Sequence, residues 1–165
     1  MLKLFLLRHA KSSWNDSSLD DFDRPLKNKG VNEANYIGDA YRKFYDRVPD
    51  AIISSPARRA LETAQLFAKK IGYSLNKIIL QQEIYEATHE ELLNLLKNIS
   101  DEYKNVVIVG HNPGFTEFAN YIVDGCDIDN IPTAGLICIK FDVKRWKEIG
   151  KKSGKLFRFE YPKKS

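Results

Sequence analysis

The amino-acid sequence predicts a three-layer α/β/α domain, in which helices cover both faces of a mainly parallel central sheet. Four short apolar runs alternate with four amphipathic segments, and this alternation is typical of a parallel sheet with helical crossovers. Two further apolar runs near the C-terminus have no long helix between them, so we expect them to pair as antiparallel edge strands. No internal repeat or linker divides the sequence, and we expect residues 1–165 to form a single domain.

The first half of the chain supplies two strands and two helices. The first strand is expected at Leu2–Leu7, an apolar run that is too short for a stable helix. A polar loop occupies residues 10–27, and apolar side chains then recur at helical spacing over about Asn28–Tyr45. The second strand is expected at Ala51–Ser54, followed by an amphipathic helix that ends at Gly72.

The second half continues the alternation. A third strand is expected at Asn76–Gln81, after which Thr88 and Glu91 have the spacing of a capping box that begins a third helix. Consecutive β-branched residues predict a fourth strand at Asn105–Val109, and a fourth helix follows as far as Ile122. The two C-terminal strands are expected at Leu136–Ile139 and Leu156–Tyr161.

Composition narrows the classes of function. Of the 165 residues 43% are hydrophobic, which suits one domain with a substantial core. The net charge of +4 comes from 26 Lys and Arg dispersed among 22 Asp and Glu, so a phosphorylated partner is allowed and a nucleic-acid partner is not indicated. The one basic concentration runs from Lys151 to Lys164, and we interpret it as a solvated edge and tail.

Cysteine content and hydropathy indicate a soluble, cytoplasmic protein that does not bind a membrane. Cys126 and Cys138 form no CxxC pattern and are expected to be reduced core residues. The apolar run at the N-terminus is ended by Arg8 and is too short for a signal peptide. No segment approaches the ~20 apolar residues that a transmembrane helix needs.

Polar residues that can carry chemistry follow each of the four parallel strands. In strand order they are Arg8-His9, Ser54-Ser55 with Arg58-Arg59 one turn later, Glu83, and Gly110-His111. Because the carboxyl ends of parallel strands meet at one edge of the sheet, where open α/β folds bind ligands, we expect these residues to form one positively charged site. Two of the three histidines in the chain lie there.

Such a site suits phosphoryl transfer. Arginine binds phosphoryl oxygens with two parallel hydrogen bonds, and its charge is permanent. Neighbouring arginines disfavour the protonated form of a histidine and leave a ring nitrogen free to attack phosphorus. The phosphoryl group then passes from the histidine to water, with positive side chains supplying the charge that Mg²⁺ supplies elsewhere.

Three motifs, each at a strand end, resemble those of the histidine phosphatase superfamily, which includes cofactor-dependent phosphoglycerate mutases. They are Arg8-His9-Ala10-Lys11-Ser12-Ser13-Trp14-Asn15, similar to Arg-His-Gly-Glu-Ser/Thr-x-Trp-Asn; residues 55–64, similar to Ser-Pro-x-x-Arg-Ala-x-x-Thr-Ala; and Gly110-His111-Asn112. Ala10, residues 21–26 and residues 110–114 are most similar to the small SixA-type phosphohistidine phosphatases. The resemblance extends to about Thr133 and implies a phosphoglycerate mutase-like fold.

The resemblance implies a role for each matching residue, without a cofactor or a metal ion. His9 is the nucleophile; Arg8, Arg59 and His111 hold the phosphoryl oxygens; Asn15, Ser12 and Asn112 contact the phosphate or substrate; and Glu83 donates a proton to the leaving group, with Glu86 or water as alternatives. Arg59 is chosen over Arg58 because it directly precedes alanine, as in the family motif.

Two residues depart from the family pattern. Lys11 replaces an acidic residue and adds positive charge beside the site. Lys27 stands where a helix-capping Ser, Thr or Asn is expected, which predicts a weaker start to the first helix.

The implied substrates are phosphohistidine on a protein or, as the alternative, a small phosphorylated metabolite, with inorganic phosphate as the product. The loop Gln82–Ala87 is short. Larger members of the family build a lid from such loops, so we expect an open site suited to a phosphohistidine on a protein surface. A module that binds phosphate without turning it over is a further alternative, although both histidines and both motif arginines are present.

The sequence gives weaker support to two other kinds of site. Two histidines and a glutamate can bind zinc, but His9, His111 and Glu83 form no HExxH motif and arginines at the same site would repel a cation. Residues 150–155 superficially resemble a phosphate-binding loop, yet they are one residue short and precede a strand instead of a helix.

Overall fold

A computed structural model describes residues 1–162 and contains one six-stranded sheet with helices on both faces. The strands are β1 (Leu2–Arg8), β2 (Ala51–Ser54), β3 (Ile79–Leu80), β4 (Asn105–Gly110), β5 (Leu136–Phe141) and β6 (Gly154–Glu160). The helices are α1 (Asn28–Phe44), α2 (Arg58–Ile71), α3 (His89–Lys97) and α4 (Gly114–Ile122). Lys163 and Lys164, part of the predicted basic tail, lie outside the described residues.

The predicted three-layer architecture is confirmed, with the strand order β3-β2-β4-β1-β5-β6. The strands β1 to β4 are mutually parallel where they pair, and β5 and β6 are antiparallel as expected. The expectation that both C-terminal strands are edge strands is wrong for β5, which lies between β1 and β6. Five of the six residues of β5 are buried, as an interior strand requires, whereas β6 is mostly exposed or half-buried.

The third strand is shorter than predicted. Residues 75–77 form a 3-10 turn, and only Ile79 and Leu80 pair with β2. The Ser74 hydroxyl donates to Asn76 Oδ1 at 2.6 Å, and a local side-chain bond of this kind competes with the hydrogen bonds of a sheet. β6 begins at Gly154, two residues earlier than predicted.

The side chains of the sheet alternate between two cores. Leu4 and Leu6 face α3 and α4, whereas Phe5 and Leu7 face α1 and α2. This period of two is the pleat of a β-strand, and it explains why β1 is apolar on both sides. Among the described residues no helix combines the length and the apolar character that crossing a membrane requires.

The ends of the helices follow the sequence signals. Thr88 and Glu91 form the predicted capping box before α3, and Gly72 ends α2 in the left-handed region at φ 79°. Lys27 precedes α1 without a side-chain cap, in agreement with the predicted weak start. At Gly30, in the first turn of α1, a Cβ would lie 2.0 Å from the Lys11 carbonyl oxygen, so only glycine lets this helix touch the loop after β1.

The ends of β1, β2 and β4 lie side by side at one edge of the sheet. The His9 amide donates to the Gly110 carbonyl at 3.0 Å, and the Ser55 amide donates to the Val109 carbonyl at 3.0 Å. The backbone hydrogen bonds therefore continue past the strands, and they hold the residues that follow each strand in one fixed arrangement.

Candidate active site

The two histidines predicted to act together lie against one another at this edge. The ring centroids of His9 and His111 are 5.3 Å apart. Arg59 reaches the same place from the first turn of α2, and each of the three side chains is at most 8% exposed. The structure therefore brings together three residues that are separated by about 50 positions along the chain.

His9 presents a free ring nitrogen. Its Nδ1 lies 2.8 Å from the Ala10 carbonyl oxygen, and a carbonyl only accepts, so the proton of the neutral ring is at Nδ1 and Nε2 keeps its lone pair. The pKa of His9 is lowered to about 4: burial is the largest cause, the Ala10 bond opposes it, and the charges of Arg59, Arg8 and Arg24 act in the same direction as burial. The neutral form expected from the sequence is thus favoured mainly by burial and only secondarily by arginine.

The loop that carries His9 is fastened to the second motif. The Ala10 amide donates to Thr63 Oγ1 at 2.9 Å, and the same hydroxyl donates to the Arg59 carbonyl at 2.7 Å. Because Ala10 and Thr63 are fully buried, this link is shielded from water and sets the position of the nucleophile candidate relative to α2.

His111 presents the opposite kind of nitrogen. Its Nε2 lies 2.8 Å from Ser55 Oγ, which also accepts from the Ala57 amide at 3.2 Å. The Ser55 hydroxyl keeps a proton that it can donate to Nε2, and on that basis we assign the proton of neutral His111 to Nδ1. That Nδ1 is buried without a partner among the described residues, and burial, followed by His9 and Arg59, lowers the pKa of His111 to about 3.

The two arginines have different anchors. Arg8 Nη1 donates to the Ile131 carbonyl at 2.7 Å, whereas its Nε is buried without a partner among the described residues. Arg59 donates from Nη1 to the Asp21 carbonyl at 2.7 Å and from Nη2 to Asp21 Oδ2 at 3.0 Å. Buried donors that the protein leaves unpaired are costly unless a ligand uses them, so Arg8 Nε and His111 Nδ1 are well suited to hold phosphoryl oxygens.

Asp21, which the sequence did not identify as a site residue, joins the loops around the site. Besides Arg59, its carboxylate accepts from Tyr85 Oη at 2.7 Å and from Arg24 Nη1 at 2.9 Å. Burial acts to raise the pKa of Asp21, but the bonds from Tyr85, Arg59 and Arg24 outweigh it and lower the pKa to about 2. Asp21 belongs to the stretch that carried the SixA resemblance, and that likeness was the one available signal.

Arg24 is a second site residue that the sequence did not identify, and it binds the hydroxyl of Ser12. The buried Arg24 guanidinium donates to the Ser12 hydroxyl and to the Ser13 carbonyl, and it lies 3.2 Å from the centroid of the Trp14 ring. Ser12 therefore lines the site, but its oxygen is already bonded to Arg24. Asn15 is exposed and lines neither of the cavities that meet at Asp21 and Arg59.

Asn112 uses its amide group within the protein. Its Nδ2 donates to Asn130 Oδ1 at 3.0 Å and to the Ile131 carbonyl at 2.9 Å, and its Oδ1 accepts from the Thr116 hydroxyl at 2.8 Å. Arg8 donates to the same Ile131 carbonyl, so Asn112 and Arg8 share an anchor, and Asn112 also lines the cavity that contains His111.

The structure does not place Glu83 with the histidines. Glu83 lines a separate cavity of about 600 Å³ beside α3, whereas Glu86 lines the cavity that contains His111, Arg59 and Asp21. In the 3-10 turn at Gln82–Ile84, Ile84 is buried in the core and the Glu83 side chain is left on the cavity beside α3. The histidines and Glu83 therefore form no zinc site, and residues 1–162 contain no other group of three or more His, Cys, Asp or Glu arranged around a metal position.

Two cavities open onto the site and share Asp21 and Arg59. One, of about 460 Å³, contains His111 together with Tyr85, Glu86 and Glu117. The other, of about 390 Å³, contains His9 and is lined by positive side chains: Arg8, Lys11, Arg24, Lys27 and Arg59. The first is therefore partly acidic, and the second is strongly basic.

Comparison with known proteins agrees with this geometry. The model of the histidine phosphatase superfamily (branch 1) matches residues 4–105. A crystal structure from Agrobacterium tumefaciens, provisionally assigned as the phosphohistidine phosphatase SixA, has 29% identity and a TM-score of 0.81, and covers 98% of this chain and 99% of that one. The protein histidine phosphatase SixA complexed with tungstate has the same fold at 15% identity, with a TM-score of 0.81 and 97% of each chain covered.

Curated relatives include proteins of two kinds. An uncharacterized chloroplastic protein of Arabidopsis thaliana is 29% identical over 160 residues, which cover 92% of this chain and 72% of the relative. The 2,3-bisphosphoglycerate-dependent phosphoglycerate mutase of Chlamydia abortus is 34% identical over 103 residues, but these cover 58% of this chain and 44% of the mutase. The chain belongs to the histidine phosphatase superfamily, with a phosphoglycerate mutase-like fold and SixA-type structural neighbours.

Proposed function

We propose that the protein is a metal-independent phosphatase that removes phosphate from phosphohistidine on a protein, with His9 as the nucleophile. The bond from His9 Nδ1 to the Ala10 carbonyl carries the proposal, because it leaves the Nε2 lone pair free in a buried, positively charged site. The proposed partner is a phosphohistidine-bearing protein of the cytoplasm.

The reaction takes two in-line steps. In the first, the Nε2 lone pair of His9 forms a bond to phosphorus while the bond between phosphorus and the substrate imidazole breaks, and the leaving imidazole takes up a proton. In the second, water attacks the phosphorus, the bond to His9 breaks, and inorganic phosphate leaves. Arg8, Arg59 and the Nδ1–H group of His111 stabilise the negative charge of the phosphoryl oxygens in both steps.

The leaving group determines how much a proton donor contributes. An imidazole is readily protonated, so phosphohistidine needs little help from a carboxylate. The alkoxide or phenoxide that leaves a phosphate ester depends more on a proton donor. Of the two glutamates, Glu86 shares a cavity with His111 and Glu83 does not. We therefore assign Glu86, in place of Glu83, as the donor candidate.

The loops around the site favour a substrate on a protein surface. The connection between β3 and α3 is short and contains only the turn at Gln82–Ile84, so it adds no lid domain above the histidines. The name of the Agrobacterium structure points to the same substrate. The second candidate, hydrolysis of a small phosphorylated metabolite, is favoured by the 34% identity to a phosphoglycerate mutase over part of the chain.

One experiment tests the mechanism and the substrate together. The wild type, His9→Ala and the control His89→Ala are incubated with a chelator and either a phosphohistidine-bearing carrier protein or an aryl phosphate, and phosphate release is followed. We expect the wild type and His89→Ala to hydrolyse both, with the carrier preferred, and His9→Ala to lose at least about 10³-fold in rate. A phosphorylated His9 has an acid-labile P–N bond, so little of it survives acid quenching. The wild type is therefore also denatured in alkali, where that bond survives and the intermediate can be detected.

Each other outcome contradicts a specific part of the proposal. Full activity in His9→Ala excludes His9 as the nucleophile, and activity that is lost with chelator and restored by zinc excludes a metal-independent reaction. A preference of several orders of magnitude for a sugar phosphate over the carrier favours the second candidate. Binding of phosphate without release from either substrate indicates a non-catalytic module.

A further inference from the structure

We propose that Lys11 and Lys27 form a second anion-binding subsite beside His9, which binds a carboxylate that the substrate carries next to its phosphoryl group. The inference rests on the proposed phosphatase function and specifies its substrate: a phosphorylated segment flanked by Asp or Glu. The two lysines belong to different parts of the loop between β1 and α1, and they were not assigned a ligand by the sequence motifs.

The backbone holds the two lysines opposite one another. Ser12 and Leu26 form an antiparallel bridge, and the Lys27 amide donates to the Lys11 carbonyl at 3.1 Å. The Lys11 amide in turn donates to Glu33 Oε1 at 2.9 Å. Both side chains are exposed and both line the cavity of about 390 Å³ that contains His9. The backbone of the two lysines is therefore held in place, whereas their ammonium groups are free to bind a ligand.

This arrangement is unfavourable without an anion. Like charges directly opposite each other across an antiparallel pair destabilise it, and neither lysine forms a salt bridge with any of residues 1–162. A carboxylate between the two ammonium groups would offset their repulsion. The geometry thus favours a bound acid at this position.

The charge around His9 exceeds what a phosphoryl group needs. The cavity is lined by five cationic side chains and by the carboxylate of Asp21. Glu33 adds a second carboxylate beside it, since it accepts from the Lys11 amide and from the Thr133 hydroxyl and its charge acts on Arg8. A dianionic phosphoryl group therefore leaves one positive charge unmatched. Arg24 does not provide it, because its donors are bonded to Ser12, Ser13 and Asp21. The unmatched charge lies with Lys11 and Lys27, at the rim of the cavity.

The neighbouring Trp14 favours an extended segment over a compact metabolite. The indole lines the same cavity, is 75% exposed and has the Arg24 guanidinium carbon 3.2 Å from its centroid. A rigid, exposed aromatic surface next to a charged subsite can pack against the backbone or side chains that flank a phosphorylated residue.

The test compares two phosphohistidine peptides that differ only in having Glu or Gln beside the phosphorylated residue. They are assayed with the wild type, the double variant Lys11→Gln/Lys27→Gln, and the control Lys97→Gln, which removes a lysine at the far end of α3. We expect the wild type to prefer the Glu peptide about fivefold to tenfold in kcat/KM, mainly through KM, and the preference to weaken at high salt. The ratio should fall to about one in the double variant and stay unchanged in Lys97→Gln.

A second arm identifies the source of the carboxylate. Aryl phosphates with a carboxylate or a carboxamide on the ring replace the peptides. A preference for the carboxylate here as well means that the subsite binds any acid close to the phosphoryl group, and a preference confined to the peptides means that it reads a protein segment. A ratio near one in the wild type, or a preference retained by the double variant, overturns the inference. If neither peptide releases phosphate, the proposed function itself is wrong.

Discussion

The two site histidines lie at the ends of adjacent parallel strands, equally buried, yet they differ in which ring nitrogen the protein occupies. At the end of β1, His9 bonds through Nδ1 to the carbonyl of the next residue. At the end of β4, His111 bonds through Nε2 to Ser55, which comes from the end of β2. One ring therefore offers a lone pair at Nε2, and the other offers an N–H group at Nδ1.

In the proposed mechanism, the hydrogen-bond partner of each histidine assigns its role more than its position or its pKa does. Burial is the largest cause of the lowered pKa of both rings, so both are neutral near pH 7. If both rings are neutral, their charge does not distinguish them, and only the ring nitrogen that carries the proton does. In the proposed reaction, the bond to the Ala10 carbonyl leaves His9 with the lone pair that a nucleophile needs, whereas the bond to the Ser55 hydroxyl leaves His111 with a donor for phosphoryl oxygens.

Replacing His111 should lower the rate more than any change at Ser55. Loss of one donor to a developing charge costs about 10²-fold to 10³-fold in kcat, and we expect His111→Asn to lose that much while His9 still becomes phosphorylated. Phosphate release and trapping of the alkali-stable phosphoenzyme measure the two quantities separately. His89→Asn, which alters a histidine in α3 outside the site, is the control. If His111→Asn forms no phosphoenzyme, the two rings do not have the roles assigned to them.

Replacing Ser55 should have a smaller effect, because His111 stays and only its tautomer is released. We expect Ser55→Ala to lose about tenfold in kcat, the cost of roughly 1.4 kcal/mol for one buried hydrogen bond. Nitrogen chemical shifts of the His111 ring should change from an Nδ1–H form to a mixture of tautomers. Ser54→Ala is a matched control, since Ser54 is equally buried and its hydroxyl donates to the Ser55 carbonyl at 2.9 Å instead of to a histidine. Equal losses in the two variants would mean that packing, and not the tautomer, is responsible.

The sequence was sufficient wherever local pattern decided the structure. The apolar runs of β1, β2 and β4 predicted strands, and the polar residues after them had to meet because parallel strands end at one edge. The closeness of His9, Arg59 and His111 follows from that rule alone. The strand expected at residues 76–81 is present but shorter, because residues 75–77 form a 3-10 turn in which Ser74 bonds to Asn76.

The sequence was insufficient where a long-range contact or a single-residue turn decided the outcome. Asp21 meets Arg59 and Tyr85 across 38 and 64 positions of the chain, and no periodicity reports such contacts. Glu83 and Glu86 are three residues apart and equally polar, and the 3-10 turn at Gln82–Ile84 together with the left-handed backbone of Glu86 (φ 59°) accompanies their placement in different cavities. The tautomers of the rings depend on their partners, which the sequence does not pair.

Acidification from pH 7 to pH 5 should change the rate very little. The pKa of His9 is lowered to about 4 and that of His111 to about 3, so both rings remain neutral at pH 5. With an ordinary pKa of about 6.5, only about 3% of His9 would be neutral at pH 5, and the rate would fall roughly 30-fold. We expect instead less than a twofold loss in kcat/KM between pH 7 and pH 5, after correction for the ionisation of the aryl phosphate used as substrate.

The sign of the effect follows from the nucleophile. Protonation of His9 removes the Nε2 lone pair, so activity is present above the lowered pKa and is lost as the pH falls through about 4. Asp21 stays ionised over this range because its pKa is about 2, so it continues to hold Arg59 while His9 titrates. NMR titration of ring signals, assigned with the His9 and His111 variants, measures the two pKa values directly. If the His9 ring titrates with a midpoint near pH 6.5 and activity follows that titration, water enters the site and burial does not keep the nucleophile neutral.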